Sequence, residues 1–262
     1  MQRLLLSSLW TLLLVFAPGG VTLAQQTPPT PVPLVAPPGP VTHSATRFDV
    51  VDAPEQFDQV LLIIDFPSGA WTPSHSPGGV FYVTVLDGEI SKRISAAPAD
   101  VETYPTGSTF TSDPGEYIEV GNASPASARI MATAVLPKGA PLMIVDQSGS
   151  GTSTDSIAPT TTFQSSVAVD RPAGAFELVH LVLDLDPGIW TPRHMHGGQE
   201  QVIVTSGEMT LERHDEAQVF AAGESWTNAS GVVHAAGNDG GSFAQVAVAF
   251  LLPAGRPLTT VV

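Results

Sequence analysis

The sequence predicts an all-β protein built as two related halves, and three observations carry that prediction. Short apolar segments such as QVLLIIDF, FYVTVL, ELVHLVLDL, EQVIVT and FAQVAVAFL are separated by Gly, Pro, Asp and Asn, with no long helical period between them. The chain also repeats itself: GAWTPSHSPGG from Gly69 returns as GIWTPRHMHGG from Gly188, GSTFTSDPGEYIEVGN from Gly107 as GESWTNASGVVHAAGN from Gly223, and LPKGAPL from Leu136 as LPAGRPL from Leu252. The offset is 119 residues for the first pair and 116 for the other two, so the halves differ by a short loop change. Finally, 262 residues at 43% hydrophobic content suffice for two modest domains. Many short strands with turn signals in about 100 residues fit a sandwich or a barrel.

Along the chain, residues 1–24 read as an export signal: Arg3, then an apolar run, then Ala24 before Gln25. The run from Leu4 to Ala17 is short for a membrane span, and Pro18, Gly19 and Gly20 break it off. The expected location is therefore periplasmic or extracellular, with no stable membrane insertion after cleavage. Residues 25–45 open with QQTPPTPVPLVAPPGP and read as an extended proline-rich tether. The first domain is expected over 46–147, a Gly, Ser and Thr linker over 148–163, and the second domain over 164–262.

Composition removes several function classes. The chain has no cysteine, which excludes disulfides, thiolate metal sites and cysteine nucleophiles. A formal net charge of −15 argues against nucleic acid and anionic membrane surfaces as partners. A metal, if there is one, must use His and carboxylate ligands.

The stretch GIWTPRHMHGGQEQVIVTSG supplies them. His194, His196 and Glu200 differ by even numbers, so a β-strand reading turns all three to one face. On a helix the two histidines would point about 200° apart, and Gly197-Gly198 would weaken that helix further. Two imidazoles and one carboxylate on one face offer three ligands to a divalent transition metal, leaving room for another protein ligand or water.

These residues resemble the cupin superfamily. Gly188, His194, His196, Glu200 and Gly207 fill the fixed positions of its first motif, and Gly223, Gly231, His234 and Asn238 those of its second, with Ala229 where proline is usual. The resemblance implies two tandem double-stranded β-helix (jelly-roll) barrels. It also implies one metal in the second, held by His194, His196, Glu200 and His234: Mn, Fe, Ni, Cu or Zn. In the first half Gly69, His75, Gly88, Gly107, Gly115 and Asn122 keep motif positions, but Pro77, Phe81 and Ile118 replace three ligands. The family therefore implies a bicupin whose first barrel is structural or substrate-binding.

Two functions stay open on the sequence alone. One is a metalloenzyme of dioxygenase or decarboxylase type acting on a small molecule, with Glu200 as the catalytic base. The other is a binding protein that captures a small ligand through its metal without turnover. A homodimer is compatible with either. Trp190 and Trp226 are candidates for the pocket mouth, although Trp71 holds the place of Trp190 in the first half and favours packing for that pair. His180 reads as an ordinary strand residue, and His43 and His214 as tether or loop residues. Asn122-Ala-Ser and Asn228-Ala-Ser match the glycosylation tripeptide but lie inside the second motif, so chance is the simpler account.

Overall fold

The computed structural model describes residues 39–148, 157–214 and 216–262. The export signal, most of the proline-rich tether and the middle of the linker lie outside the described residues. Within them the regular structure is all β-strand, and no helix is long and apolar enough to cross a membrane.

The first half supplies β1 (Val41–Val50), β2 (Gln56–Phe66), β3 (His75–Pro77), β4 (Val80–Asp87), β5 (Glu89–Ile94), β6 (Val101–Pro105), β7 (Thr109–Ser112), β8 (Ile118–Gly121), β9 (Ala128–Pro137) and β10 (Met143–Val145). The second supplies β11 (Thr160–Asp170), β12 (Phe176–Leu185), β13 (His194–His196), β14 (Gln199–Ser206), β15 (Glu208–Arg213), β16 (Glu216–Ala221), β17 (Ser225–Asn228), β18 (His234–Gly237), β19 (Ala244–Pro253) and β20 (Thr259–Val261). They form four five-stranded sheets: β11-β2-β9-β4-β7 and β10-β3-β8-β5-β6 make one barrel, β1-β12-β19-β14-β17 and β16-β15-β18-β13-β20 the other. Each is a jelly-roll, a double-stranded β-helix, and the two stand in tandem.

The first strand of each half crosses to the other barrel. β1 pairs antiparallel with β12 over Val41 to Val50, and β11 pairs antiparallel with β2 over Thr160 to Asp170. Thus β1 starts at Val41, inside the stretch whose composition reads as tether, and β11 starts at Thr160, inside the stretch that reads as linker. His43 sits in β1, 3.4 Å from Asp184, rather than in an unpaired tether. Composition hid this because both are edge strands whose first residues, 41–45 and 160–163, are mostly polar and exposed. In β1 only Phe48 and Val50 are fully buried, and in β11 only Val169 among its apolar residues.

Three apolar clusters follow from this arrangement. One fills the first barrel around Val83, Ile90, Phe110 and Ile130, and one fills the second around Val179, Leu211, Phe220 and Phe250. The third lies between the barrels and joins Phe57, Leu61 and Met131 to Leu178, Val182 and Ile203. Strands β2, β12 and β19 are thereby buried on both faces, which explains why they read as continuous apolar runs rather than as alternation. On β19, Val246, Val248 and Phe250 face the barrel interior while Ala247, Ala249 and Leu251 face the other barrel. Small residues on that outer face let the two sheets approach closely. Full burial of each large side chain in these clusters contributes roughly 1.5–3 kcal/mol.

The repeated tryptophans are packing elements. Trp71 bridges Gly121, and Trp190 bridges Gly237. A Cβ built on either glycine would fall 2.1 Å from Cδ2 of the facing indole, so the close approach requires glycine. The last motif asparagine pins the next loop in each half: Asn122 Nδ2 donates to the carbonyls of Phe66 and Ala126, and Asn238 Nδ2 to those of Leu185 and Ser242.

His180 is buried in the interface between the barrels. Its Nδ1 meets Thr84 Oγ1 at 2.9 Å, its Nε2 meets Thr133 Oγ1 at 2.8 Å, and the Phe48 ring lies edge-on with centroids 5.2 Å apart. Both threonines belong to the other barrel. Burial pushes its pKa down from 6.5 to about 3. A depressed histidine pKa means that the unfolded chain takes up the proton first, so the contribution of His180 is complete above its unfolded value near 6.5. It is lost as pH falls from there toward about 3, at up to about 1.4 kcal/mol per pH unit. His180→Leu is expected to flatten the acid limb of a urea-unfolding series between about pH 6 and 4.5 by up to that slope. Parallel limbs for the two proteins would contradict this placement.

Candidate metal centre

Three short strands of the second barrel bring the candidate ligands together. β13 turns His194 and His196 inward on either side of Met195, leaving each histidine 6% exposed. His234 opens β18 directly opposite His194 in the antiparallel register, and Glu200 lies near the start of β14 opposite Asn228 of β17. The even spacing read from the sequence describes one face only for His194 and His196; Glu200 lies past Gly197-Gly198 on β14, a strand of the other sheet, and reaches the same interior point from there, while the sheet pairing adds His234 to the histidines.

The ring nitrogens of His194, His196 and His234 all lie within 4.8 Å of one another. Glu200 closes the group, with Oε1 3.3 Å from His196 Nε2 and Oε2 3.5 Å from His234 Nε2. Each imidazole is anchored through its other nitrogen to a backbone carbonyl: His194 Nδ1 to Pro192 at 2.7 Å, His196 Nδ1 to Leu258 at 2.8 Å and His234 Nδ1 to Val232 at 3.1 Å. A carbonyl only accepts, so Nδ1 carries the proton and Nε2 is left as a lone pair in the neutral ring.

This tautomer assignment has a chemical consequence. His194 Nε2 and His196 Nε2 stand 3.1 Å apart, two lone pairs facing each other beside a carboxylate. Such a group repels itself until a proton or a cation enters. Burial is the main cause that pushes the pKa of His194 and of His234 below the ordinary value, which disfavours the proton. For Glu200, burial by itself would raise the pKa. Against it, the Asn228 amide and, whenever their rings take up a proton, the hydrogen bond and charge of His196 and the charge of His234 hold the carboxyl below its usual value. Three neutral imidazoles and one carboxylate make a donor set that fits a divalent transition metal, with positions to spare for a further ligand.

Asn228 is a site residue that sequence reasoning passed over. Its Nδ2 donates to Glu200 Oε2 at 2.6 Å, while Arg213 donates to Asn228 Oδ1 at 3.2 Å. Arg213 therefore fixes the amide, and the amide fixes the carboxylate. The available signal was spacing: Asn228 follows Trp226 by two and so shares its inward face. At 2% exposure Asn228 is no glycosylation acceptor, and Asn122 is fully buried.

Above these groups lies a cavity of about 160 Å³ with apolar walls from Leu181, Val202, Met209, Val248 and Phe250. Trp226 forms part of the wall, and its indole N–H has no hydrogen-bond partner among the described residues. Trp190 does not line the cavity and donates instead to Asp239 at 2.9 Å. A larger cleft, about 610 Å³, lies where the barrels meet and carries the Asp65–Arg129 ion pair, but no cluster of metal-ligating groups among the described residues.

In the first barrel the register is the same and the chemistry is different. His75 pairs with Ile118 as His194 pairs with His234, and Phe81 faces Ser112 as Glu200 faces Asn228. His75 Nδ1 is tied to the Pro73 carbonyl at 2.8 Å, leaving one imidazole nitrogen among apolar neighbours.

Residues 181–250 match the family model of the Cupin domain. No curated protein matches the chain in sequence. Among solved structures the fold is similar to that of Bacillus subtilis oxalate decarboxylase, described with Mn(II) centres, at 10% identity, covering 83% of this chain and 74% of that one with a TM-score of 0.50. A mutant of the same Bacillus subtilis enzyme gives 9% identity, 84% and 80% coverage and a TM-score of 0.50. Identities this low carry the fold alone.

Replacing Asn228 by Ala strands a buried carboxylate oxygen. In metal-free protein this is expected to cost about 1–3 kcal/mol of unfolding free energy, measured in urea. An unchanged stability would contradict the assigned bond.

Proposed function

We propose, from the match of residues 181–250 to the Cupin domain and the tandem jelly-roll fold, that the chain is an exported metalloenzyme of the cupin superfamily that oxidises a small phenolic or enolic substrate with dioxygen. His194, His196, Glu200 and His234 would hold one divalent transition metal. The observation that carries the reading is the meeting of three anchored Nε2 lone pairs and one carboxylate at the floor of an apolar cavity. Mn, Fe, Ni, Cu and Zn all remain candidate ions, and the Mn(II) centres described for the structural relative support the first of them.

The size and lining of the cavity select among substrates. A dry cavity of about 150 Å³ accommodates one benzene ring, so about 160 Å³ suits a single-ring compound. Beyond the proposed ligands no charged side chain lines it, which gives a small dianionic acid no partner on the walls. This favours oxidation of an apolar hydroxyl compound over decarboxylation of a small diacid.

A bound dication supplies Lewis acidity toward a substrate oxygen and, if redox active, electron exchange with dioxygen. The chain supplies the rest. Leu181, Val202 and Phe250 exclude water and strengthen the electrostatics below them. Trp226 offers its unpartnered N–H to a second substrate oxygen. Glu200, ionised because its pKa is held down, is in the form that accepts the substrate hydroxyl proton, at Oε1, while Asn228 keeps Oε2 in place.

The cavity lining has no second acid or base besides the proposed ligands. That observation favours a second reading, capture of the same class of molecule without turnover.

Metal-loaded full-length protein is expected to consume dioxygen with catechol, and Glu200→Gln to lower kcat by about 10²–10⁴-fold. Saturable catechol binding without dioxygen uptake, for every redox metal loaded, would leave the binding reading and contradict turnover. His196→Ala or Glu200→Ala is expected to abolish metal content with little change in far-UV circular dichroism. His75→Ala should leave metal content unchanged, and full metal in the first two or loss of an equivalent in the third would contradict the ligand set.

A further inference from the structure

The first barrel encloses a cavity of its own, which the metal centre does not use. It measures about 70 Å³, is walled by Ile64, Phe66, Phe81, Phe110 and Ile118, and ends at Met143, which is 40% exposed. Three polar side chains interrupt this lining, and one of them, Thr72, already accepts from the Val120 N–H at 2.9 Å. Ser112 is 5% exposed, and its hydroxyl is buried without a hydrogen-bond partner among the described residues. His75 gives its Nδ1 proton to the Pro73 carbonyl and is left with Nε2 as an acceptor.

The register explains why Ser112 is alone. It faces Phe81 at the position where, in the other barrel, Asn228 faces Glu200. There the inward polar group meets a carboxylate, and here it meets an aromatic ring. A buried hydroxyl left unpaired is destabilising, so a chain that keeps one beside a cavity has a use for a group that satisfies it. Water would satisfy the polar groups but leave the apolar walls wetted, whereas a molecule with a hydroxyl and a short carbon chain satisfies both.

We propose that the first barrel binds a small uncharged alcohol. Its hydroxyl accepts from Ser112 Oγ and donates to His75 Nε2, and its carbon chain lies against Phe66, Phe81 and Phe110. A hydroxyl both donates and accepts, as this pair requires, whereas an ether or ketone oxygen only accepts. A charged group would find no opposite charge in the lining. About 70 Å³ is half the volume that accommodates the six carbons of a benzene ring, which limits the enclosed part of the occupant to about three non-hydrogen atoms, any further chain leaving past Met143. Every residue of this site lies in the first half, so it stands or falls independently of the metal.

The test is an NMR titration of the full chain with 1-propanol and with its isomer ethyl methyl ether, which has the same number of heavy atoms and no donor. Propanol is expected to shift the Ser112, Val120 and Ile130 resonances saturably, with a millimolar dissociation constant about tenfold below that of the ether. Ser112→Ala should bring propanol to the level of the ether and leave the thermal midpoint equal or higher, since it removes an unpaired hydroxyl. Ala132→Val, which installs the residue that Val248 provides in the other barrel, should fill the cavity and abolish the shifts. Equal affinities for alcohol and ether, propanol binding untouched by Ser112→Ala, or a marked loss of stability in Ser112→Ala would each overturn the proposal.

Discussion

The second barrel is organised around three hydrogen bonds from imidazole Nδ1 to backbone carbonyls. The carbonyls of Pro192, Val232 and Leu258 fix the tautomer and the tilt of His194, His234 and His196. Each carbonyl is itself held in place by the chain that carries it: Pro192 and Val232 precede their histidines by two residues, and Leu258 leads into β20, which pairs with β13. Anchoring of this kind directs three lone pairs at one point and leaves the carboxylate to complete the set. Free imidazoles would turn away from such crowding, but these cannot, and that rigidity suits the group to the cation proposed for it.

The same economy shows in how the two barrels are joined. Exchange of β1 and β11 gives each inner sheet a fifth strand from the other half, so the inter-barrel core is continuous with both barrels. His180 marks the cost of that core: a titratable ring buried against Thr84 and Thr133, kept neutral by its surroundings. Its counterpart in the repeat is Leu61, which meets the same interface with an aliphatic side chain.

Much of this was legible in the sequence. The repeat announced two related halves, the apolar segments announced strands, and the even spacing of His194 and His196 announced a shared face; Glu200, expected on that same strand, reaches the site from the other sheet. What escaped was whatever depends on contacts between distant strands. Residues 41–45 and 160–163 look like the ends of tether and linker because they are mostly small, polar and exposed, and nothing local says which sheet they will join. Asn228 matched a glycosylation tripeptide, and only its pairing with Glu200 across β14 and β17 reveals its role. Ser112 carried no signal at all, since its interest lies in a partner that Phe81 fails to provide.

Anomalous diffraction from crystals of the metal-loaded full chain tests the central claim most directly. The account predicts one peak in the second barrel, about 2.0–2.2 Å from the Nε2 atoms of His194, His196 and His234 and from a Glu200 oxygen, with the three Nδ1–carbonyl bonds intact. A peak bound through Nδ1, a peak elsewhere in the chain, or no peak at saturating metal would contradict it.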